Sequence, residues 1–305
     1  MMRESPWTKS LFTLSRLLSR IPLVYQVVIE PLLMRYKTEL PSIRWYGETI
    51  QLDISDVIHR KICAGTFEVF ERRVLGRLLR EGSVAIDVGA HCGFMALAMS
   101  SCVGESGSVV AFEPISENYR KLVENTKARR SIIRPENVAV VGGQEEFLIL
   151  GRPDLWRLDE NKTSGNYSSS YSANAQTVST CNVNEALRSL ARVDLMKIDV
   201  EGMEVEIICA LSDESISKIG SILFEVVVER QSPTVDQQRV LEFLESRGFR
   251  VEFPILPIVC RSKIVGLSFD AVSALFRFFF PLLHRLAGVQ TTTVNLLATR
   301  NSRRK

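Results

Sequence analysis

Histidine is scarce in this chain. His59, His91 and His284 are the only three in 305 residues, and no two stand at the short spacing of a metal-binding pair. The sequence therefore offers no histidine-type metal site, and none is expected. Cysteine points the same way: Cys63, Cys92, Cys102, Cys181, Cys209 and Cys260 form no Cys-x-x-Cys pair. That excludes a zinc ribbon and a dense disulfide framework, and reads as buried free thiols in a reducing, cytoplasmic compartment. Long uncharged runs are missing too. No stretch of about 20 apolar residues is free of charge, as a bilayer span would require, and Arg16 and Arg20 interrupt the N-terminal apolar run. The net charge of +3 leaves no electrostatic footprint for nucleic acid, which is not expected as a partner. No internal repeat is visible.

What is present is a strand, a turn and an acid. Residues 84–93 read Val-Ala-Ile-Asp-Val-Gly-Ala-His-Cys-Gly, and the next apolar run, Ser108 to Phe112, is closed by Glu113. Such wiring belongs to a nucleotide-type site at the carboxyl edge of a parallel sheet. Gly89 supplies the sharp turn, and Gly93 the close approach of backbone to ligand and of helix to sheet. Glu113, 24 residues after Gly89, stands near the offset at which a carboxylate meets a ribose. A dinucleotide fingerprint also needs glycine at the positions held by His91 and Phe94, so the pyrophosphate cradle is missing. A nicotinamide-linked or nucleotide-sugar enzyme is disfavoured on that ground.

A second signature lies downstream. Asp194-Leu-Met-Lys-Ile-Asp199-Val-Glu201-Gly202 is a short apolar strand ending in two carboxylates and a glycine, with a helical pattern after it, and Ser221 to Glu225 form the next strand. Together with Asp87-Val88-Gly89-Ala90 and Phe112-Glu113-Pro114, the run Lys197-Ile-Asp-Val-Glu-Gly202 resembles the FkbM family of S-adenosylmethionine-dependent methyltransferases, over about residues 64–230. Where that family often has Asn after Gly-Ala this chain has His91, and where it usually has Leu-Asp this chain has Val183-Asn184. The resemblance implies S-adenosyl-L-methionine as cofactor, held by Asp87, Gly89, Ala90, His91, Gly93, Glu113, Pro114 and Asn137. It implies O-methylation of a hydroxyl on a sugar, glycan, glycolipid or secondary metabolite. Asp199 and Glu201, at a strand end on the ligand face, are the candidate catalytic base or acceptor anchor. Asp199 also suits a cap for a helix beginning near Gly202, while Glu204 and Glu206 read as a solvated helix face. Asp199, Glu201 and Glu225 are the one carboxylate set able to share an ion.

Charge is spread unevenly. Residues 1–45 hold seven Lys/Arg against three Asp/Glu, residues 247–305 ten against two, and residues 46–246 twenty-one against thirty. Both basic ends are also apolar: Leu11, Phe12, Leu14, Leu17, Leu18 and Ile21 recur at helical spacing beside Lys9, Arg16 and Arg20, and Phe278-Phe-Phe-Pro-Leu-Leu283 lies beside Arg277 and Arg285. Interfacial amphipathic helices have this pattern. They suit peripheral contact with a membrane inner surface, a homodimer face or packing on the sheet. The candidate acceptor is accordingly a small molecule, a glycan or a lipid-linked group, and a non-catalytic cofactor-binding scaffold at a membrane is the alternative.

The fold class expected is α/β, a doubly wound, mostly parallel Rossmann-like sheet closed by an antiparallel C-terminal hairpin, with amphipathic helices at both ends. Strands are expected at about 84–88, 108–113, 137–142, 195–200 and 221–227, with helices near 93–102, 116–130, 184–191, 203–211 and 236–247 between them. Strand-like residues 43–52 and a helix at 67–80 precede the sheet. Extra strands at 145–151 and 176–182 flank a Ser/Tyr-rich loop, 163–172, and 250–255 with 292–300 form the final pair. Residues 1–63 read as a helical, basic extension and 64–305 as the catalytic domain, with cofactor and catalytic residues in 64–230 and an apolar helical insertion in the hairpin, 248–300.

Overall fold

The computed structural model describes residues 42–51, 57–63, 67–144, 147–150, 176–200, 202–229, 235–254, 266–267 and 291–300. The expected terminal helices, the Ser/Tyr-rich loop and Glu201 lie outside the described residues. The chain divides into two compact units, Met1–Gly76 and Arg77–Lys305.

In the first unit, β1 (Ser42–Trp45) and β2 (Glu48–Gln51) form an antiparallel hairpin with Ile43 opposite Ile50. Tyr46 and Gly47, both at positive φ (47° and 92°), make the two-residue turn whose twist suits a hairpin. Helices α1 (Val57–Cys63) and α2 (Val69–Leu78) follow. Arg72 lays its guanidinium 4.8 Å from the centre of the Trp45 ring and donates through Nε to the Phe67 carbonyl.

The second unit runs β3 (Val84–Val88), α3 (Phe94–Val103), β4 (Ser108–Phe112), α4 (Ser116–Thr126), β5 (Ile133–Glu136), β6 (Ala139–Val141), β7 (Phe147–Leu150), β8 (Gln176–Asn182), α5 (Val183–Ala186), β9 (Leu195–Ile198), α6 (Glu204–Cys209), α7 (Asp213–Ser217), β10 (Ser221–Glu229), α8 (Val235–Ser246), β11 (Phe249–Pro254), β12 (Gly266–Leu267) and β13 (Thr291–Arg300). The main sheet has the order β12-β11-β13-β10-β9-β3-β4-β5. Strands β5, β4, β3, β9 and β10 are parallel, while β13 runs antiparallel to both β10 and β11. This is the doubly wound arrangement with the expected antiparallel closing pair. The strands of its centre read as continuous apolar runs because a parallel sheet is covered on both faces. Ile86, Val88, Met196, Ile198, Ile222 and Phe224 are buried in one core. Helix α3 has no polar face for the same reason: eight of its ten residues are buried.

Chain order reverses between β3 and β9, where β4 and β5 extend one way and β9 and β10 the other. A crevice opens at such a switch point, outside the carboxyl ends of the strands.

Three local expectations need correction. The third parallel strand is Ile133–Glu136, not 137–142: Pro135 disguised it, and proline is tolerated there because β5 is an edge strand. Residues 139–141 join instead a separate three-stranded sheet, β6-β8-β7. The helix expected over 184–191 is a single turn, α5, capped by the Asn182 side chain, which accepts from the Asn184 amide at 2.9 Å. Helix α7 was not anticipated, although Ser212 caps it through the Ser215 amide at 3.1 Å.

Candidate active site

The turn after β3 is held by backbone. The amides of Gly89 and Ala90 both donate to the Phe112 carbonyl at 3.0 and 2.9 Å, which pins the turn to the end of β4. Gly89 has φ 83°, and a Cβ there would lie 1.9 Å from the carbonyl oxygen of Asp199. No side chain fits. His91 adopts φ 50°, unusual outside glycine, and places its Nδ1 2.9 Å from the Cys92 sulfur. At Gly93, φ 87°, an added Cβ would meet Leu122 Cδ1 at 2.6 Å and Thr126 Cγ2 at 3.2 Å. The close approach assigned to Gly93 is therefore to helix α4 and not to the sheet.

Glu113 closes β4 and reaches back over the turn. Its Oε2 accepts the His91 amide at 2.8 Å and its Oε1 the Ile115 amide at 2.9 Å. The side chain is only 4% exposed, and burial pushes its carboxyl up to about 7 against the pull of those two amides. The Asn118 side chain also bonds this carboxylate, so three of its four lone-pair sites are taken and one is left. Asn137 braces the same corner, its amide group donating to the carbonyls of Glu113 at 2.8 Å and Pro114 at 3.1 Å.

Beneath the turn sit Asp87, Lys197 and Asp199. Asp87 is fully buried, and no side chain hydrogen-bonds either of its carboxylate oxygens. Burial pushes it up to about 6; the Lys197 ammonium opposes that shift, the Asp199 carboxylate adds to it, and the backbone amide of Ala96 at the start of α3 opposes it. Lys197, 3% exposed, donates to Asp199 Oδ2 at 2.7 Å. Asp199 is partly exposed at the strand end, and its amide donates to the Val88 carbonyl at 3.0 Å, joining the ends of β3 and β9.

Glu204 departs from expectation. It is buried, not on a solvated face, and it accepts from the amides of Val200 and Gly202, each at 2.9 Å. Burial pushes its carboxyl up. The segment after β9 is thus tied by Glu204, and Asp199 does not cap the helix, whose N-cap is Met203. Glu206 is exposed as expected, and Glu225 lies within β10, which continues to Glu229. Cys92 is buried as anticipated, whereas Cys102, Cys181 and Cys209 are half-buried. Sequence reasoning passed over Lys197 and misread Glu204. The signal for Lys197 was available: a lysine inside the strand Leu-Met-Lys-Ile of a covered sheet has to find a partner.

Residues 87–251, more than half of the chain, match the family described as the methyltransferase FkbM domain. The chain belongs to the FkbM methyltransferase family. Solved structures with a similar course include an S-adenosylmethionine-dependent O-methyltransferase from Thermotoga maritima, at 17% identity, covering 88% of this chain and 80% of that one with a TM-score of 0.41. The precorrin-6y C5,15-methyltransferase of Geobacter metallireducens matches at 16% identity over 75% and 88% of the two chains, TM-score 0.39. Aeropyrum pernix fibrillarin with bound S-adenosyl-L-methionine matches at 14% over 72% and 78%, TM-score 0.38. These are distant likenesses, and membership rests on the matched segment. No curated protein matches the chain.

A methyltransferase of this family uses S-adenosylmethionine, and the carboxyl edge suits that group. The cofactor carries a sulfonium, an ammonium and a ribose. Asp87 is an orphaned buried carboxylate of the kind a cation would satisfy, Glu113 keeps acceptor capacity for hydroxyls, and the Gly89 turn has no side chain to obstruct the crevice.

Proposed function

We propose that this FkbM-family methyltransferase is an O-methyltransferase for a hydroxyl of a sugar, glycan, glycolipid or secondary metabolite, with residues 64–305 as the transferase and 1–63 as an extension. The observation that carries the reading is the pairing, at one switch point, of a buried carboxylate with no side-chain hydrogen bond, Asp87, with a strand-end carboxylate that is partly exposed, Asp199. The first suits the cationic cofactor, the second an acceptor hydroxyl.

In this reading Glu113 takes the ribose hydroxyls, with Gly89, Ala90, His91 and Gly93 shaping the turn and Pro114 and Asn137 the adjoining wall. S-adenosylmethionine supplies a methyl on a positively charged sulfur, a good electrophile that needs in-line placement more than forceful catalysis. Asp199 would accept the proton of the acceptor hydroxyl, and the cofactor, when bound, would supply the methyl group that replaces it. Lys197 holds Asp199 in place through the 2.7 Å bond, and the Glu204 carboxylate ties the amides of Val200 and Gly202. Glu201 is the second acceptor-side carboxylate.

The test is methyl transfer. Extracted glycans, lipids and metabolites from cells with and without the chain should differ by a 14-dalton gain on one acceptor class. Asp199→Ala should lower turnover by about 10²–10⁴ while cofactor affinity stays within a few-fold, since a general base contributes that much in rate. A variant that retains more than a tenth of parent turnover rules out the base.

The charge pattern favours a membrane surface as the place of action. Basic, apolar ends flank an acidic middle, and no helix among the described residues is long and apolar enough to cross a membrane. Flotation with anionic vesicles should be strong at low salt and weaker, but present, at high salt. Absence of flotation at low salt would make the ends packing or dimer elements and the acceptor a free glycoside or metabolite.

A further inference from the structure

We propose that Lys197 is a positioning residue, a counter-ion shared by Asp87 and Asp199, which keeps Asp87 charged for the cofactor and Asp199 aimed at the acceptor. The inference rests on the reading that these two carboxylates serve the two substrates.

Register puts the three groups together. Asp87 and Lys197 are paired partners on the parallel strands β3 and β9, so their side chains leave the same face of the sheet, and Asp199 lies two residues beyond Lys197 on that face. The ammonium makes its 2.7 Å bond to Asp199 Oδ2, while Asp87 is left fully buried with no side-chain hydrogen bond to either oxygen. Among the described residues Lys197 is the only buried lysine or arginine. Two carboxylates act on it, Asp87 from β3 and Asp199 from the end of β9, and each of these in turn acts on a further buried acid, Asp87 on Glu113 at the end of β4 and Asp199 on Glu204 of α6. One ammonium therefore serves two acids that repel each other. Its pull opposes the burial that pushes Asp87 up to about 6, which leaves that carboxyl mostly ionised at neutral pH. A merely structural lysine would need one partner.

The experiment follows the Asp87 carboxyl directly, by carbon-13 resonances in aspartate-labelled protein titrated from pH 4 to 9 without cofactor, with Asp87→Asn to assign the signal. Lys197→Met removes the attraction and should move the midpoint up by about one pH unit or more. Asp199→Asn removes the repulsion and frees the ammonium, so its midpoint should move down. Lys197→Arg should stay near the parent. Opposite displacements from two neighbouring substitutions are not produced by loosened packing. Calorimetry with S-adenosylhomocysteine should then find Lys197→Met about two-fold or more weaker than the parent at pH 7 and no weaker at pH 9, where Asp87 is ionised in both.

If Lys197→Met and Asp199→Asn leave the midpoint where it is, the shared counter-ion is refuted while the cofactor reading of Asp87 stands. If the midpoint moves as expected but saturating S-adenosylhomocysteine leaves the Asp87 titration untouched, Asp87 does not face the cofactor, and the reading and the inference both fall. Should Lys197→Met not fold, the downward displacement in Asp199→Asn decides the matter alone.

Discussion

Replacing Gly89 by alanine adds one methyl group at the point where the turn crosses the end of β9. Two costs arise. An alanine held at φ 83° sits in left-handed backbone, disfavoured for an L side chain by about 1–2 kcal/mol. The new Cβ would also stand 1.9 Å from the Asp199 carbonyl oxygen and 2.9 Å from its carbon. That carbonyl cannot swing aside freely, because the Asp199 amide is bonded to Val88 and its carboxylate to Lys197. Forced overpacking of this kind adds about 1–3 kcal/mol, for a total of about 2–5 kcal/mol. Gly248 provides the control: it has nearly the same φ, 80°, but an added Cβ meets nothing within 4 Å among the described residues. Gly248→Ala should therefore show only the backbone part, about 1–2 kcal/mol. Urea unfolding followed by circular dichroism compares the two, and calorimetry with S-adenosylhomocysteine should find cofactor binding lost in Gly89→Ala and retained in Gly248→Ala. Equal destabilisation in the two variants, with cofactor affinity intact in both, would refute the close packing of the turn on Asp199 and its place in the site.

Glu113→Ala strips the acceptor from the His91 and Ile115 amides, so it should cost about 2–5 kcal/mol of stability in urea unfolding and a further 1.5–3 kcal/mol of cofactor affinity by calorimetry. Because burial raises Glu113 to about 7 and Asp87 to about 6 from ordinary values of 4.5 and 3.8, the folded state binds more protons than the unfolded chain between those limits. These two groups thus contribute stability at pH 5 that is lost as pH rises toward 8, by a few kcal/mol at most; urea midpoints across that range should fall, and Glu113→Gln should flatten part of the slope. Glu204→Ala leaves the Val200 and Gly202 amides without their carboxylate and should cost about 1–3 kcal/mol, with faster hydrogen exchange confined to residues 200–204 as the mark of a loosened segment.

Where a structural feature is written in consecutive residues, the chain could be read directly. An apolar run, a glycine and a helical pattern placed β3, the Gly89 turn and α3 within a residue, since strand propensity, a positive φ and apolar periodicity are local properties. The acid at the end of β4 was legible for the same reason, its distance from Gly89 being set by the length of one helix and one strand. Other features depend on partners far along the chain. Pro135 looks like a break until β5 is seen at the sheet edge, where no neighbour requires its missing amide proton. Gly93 is glycine because Leu122 and Thr126 crowd it, and Glu204 is buried because the segment after β9 folds back over its carboxylate. The pairing of Asp87 with Lys197 spans 110 residues and exists only through the register of two parallel strands. Local sequence determined which elements form and where the glycine turn stands. The tertiary structure decided which carboxylates are buried, which are tied to backbone amides and which two, Asp87 and Asp199, lie beside the Lys197 ammonium, because desolvation and Coulomb interaction depend on distances that only the folded sheet sets.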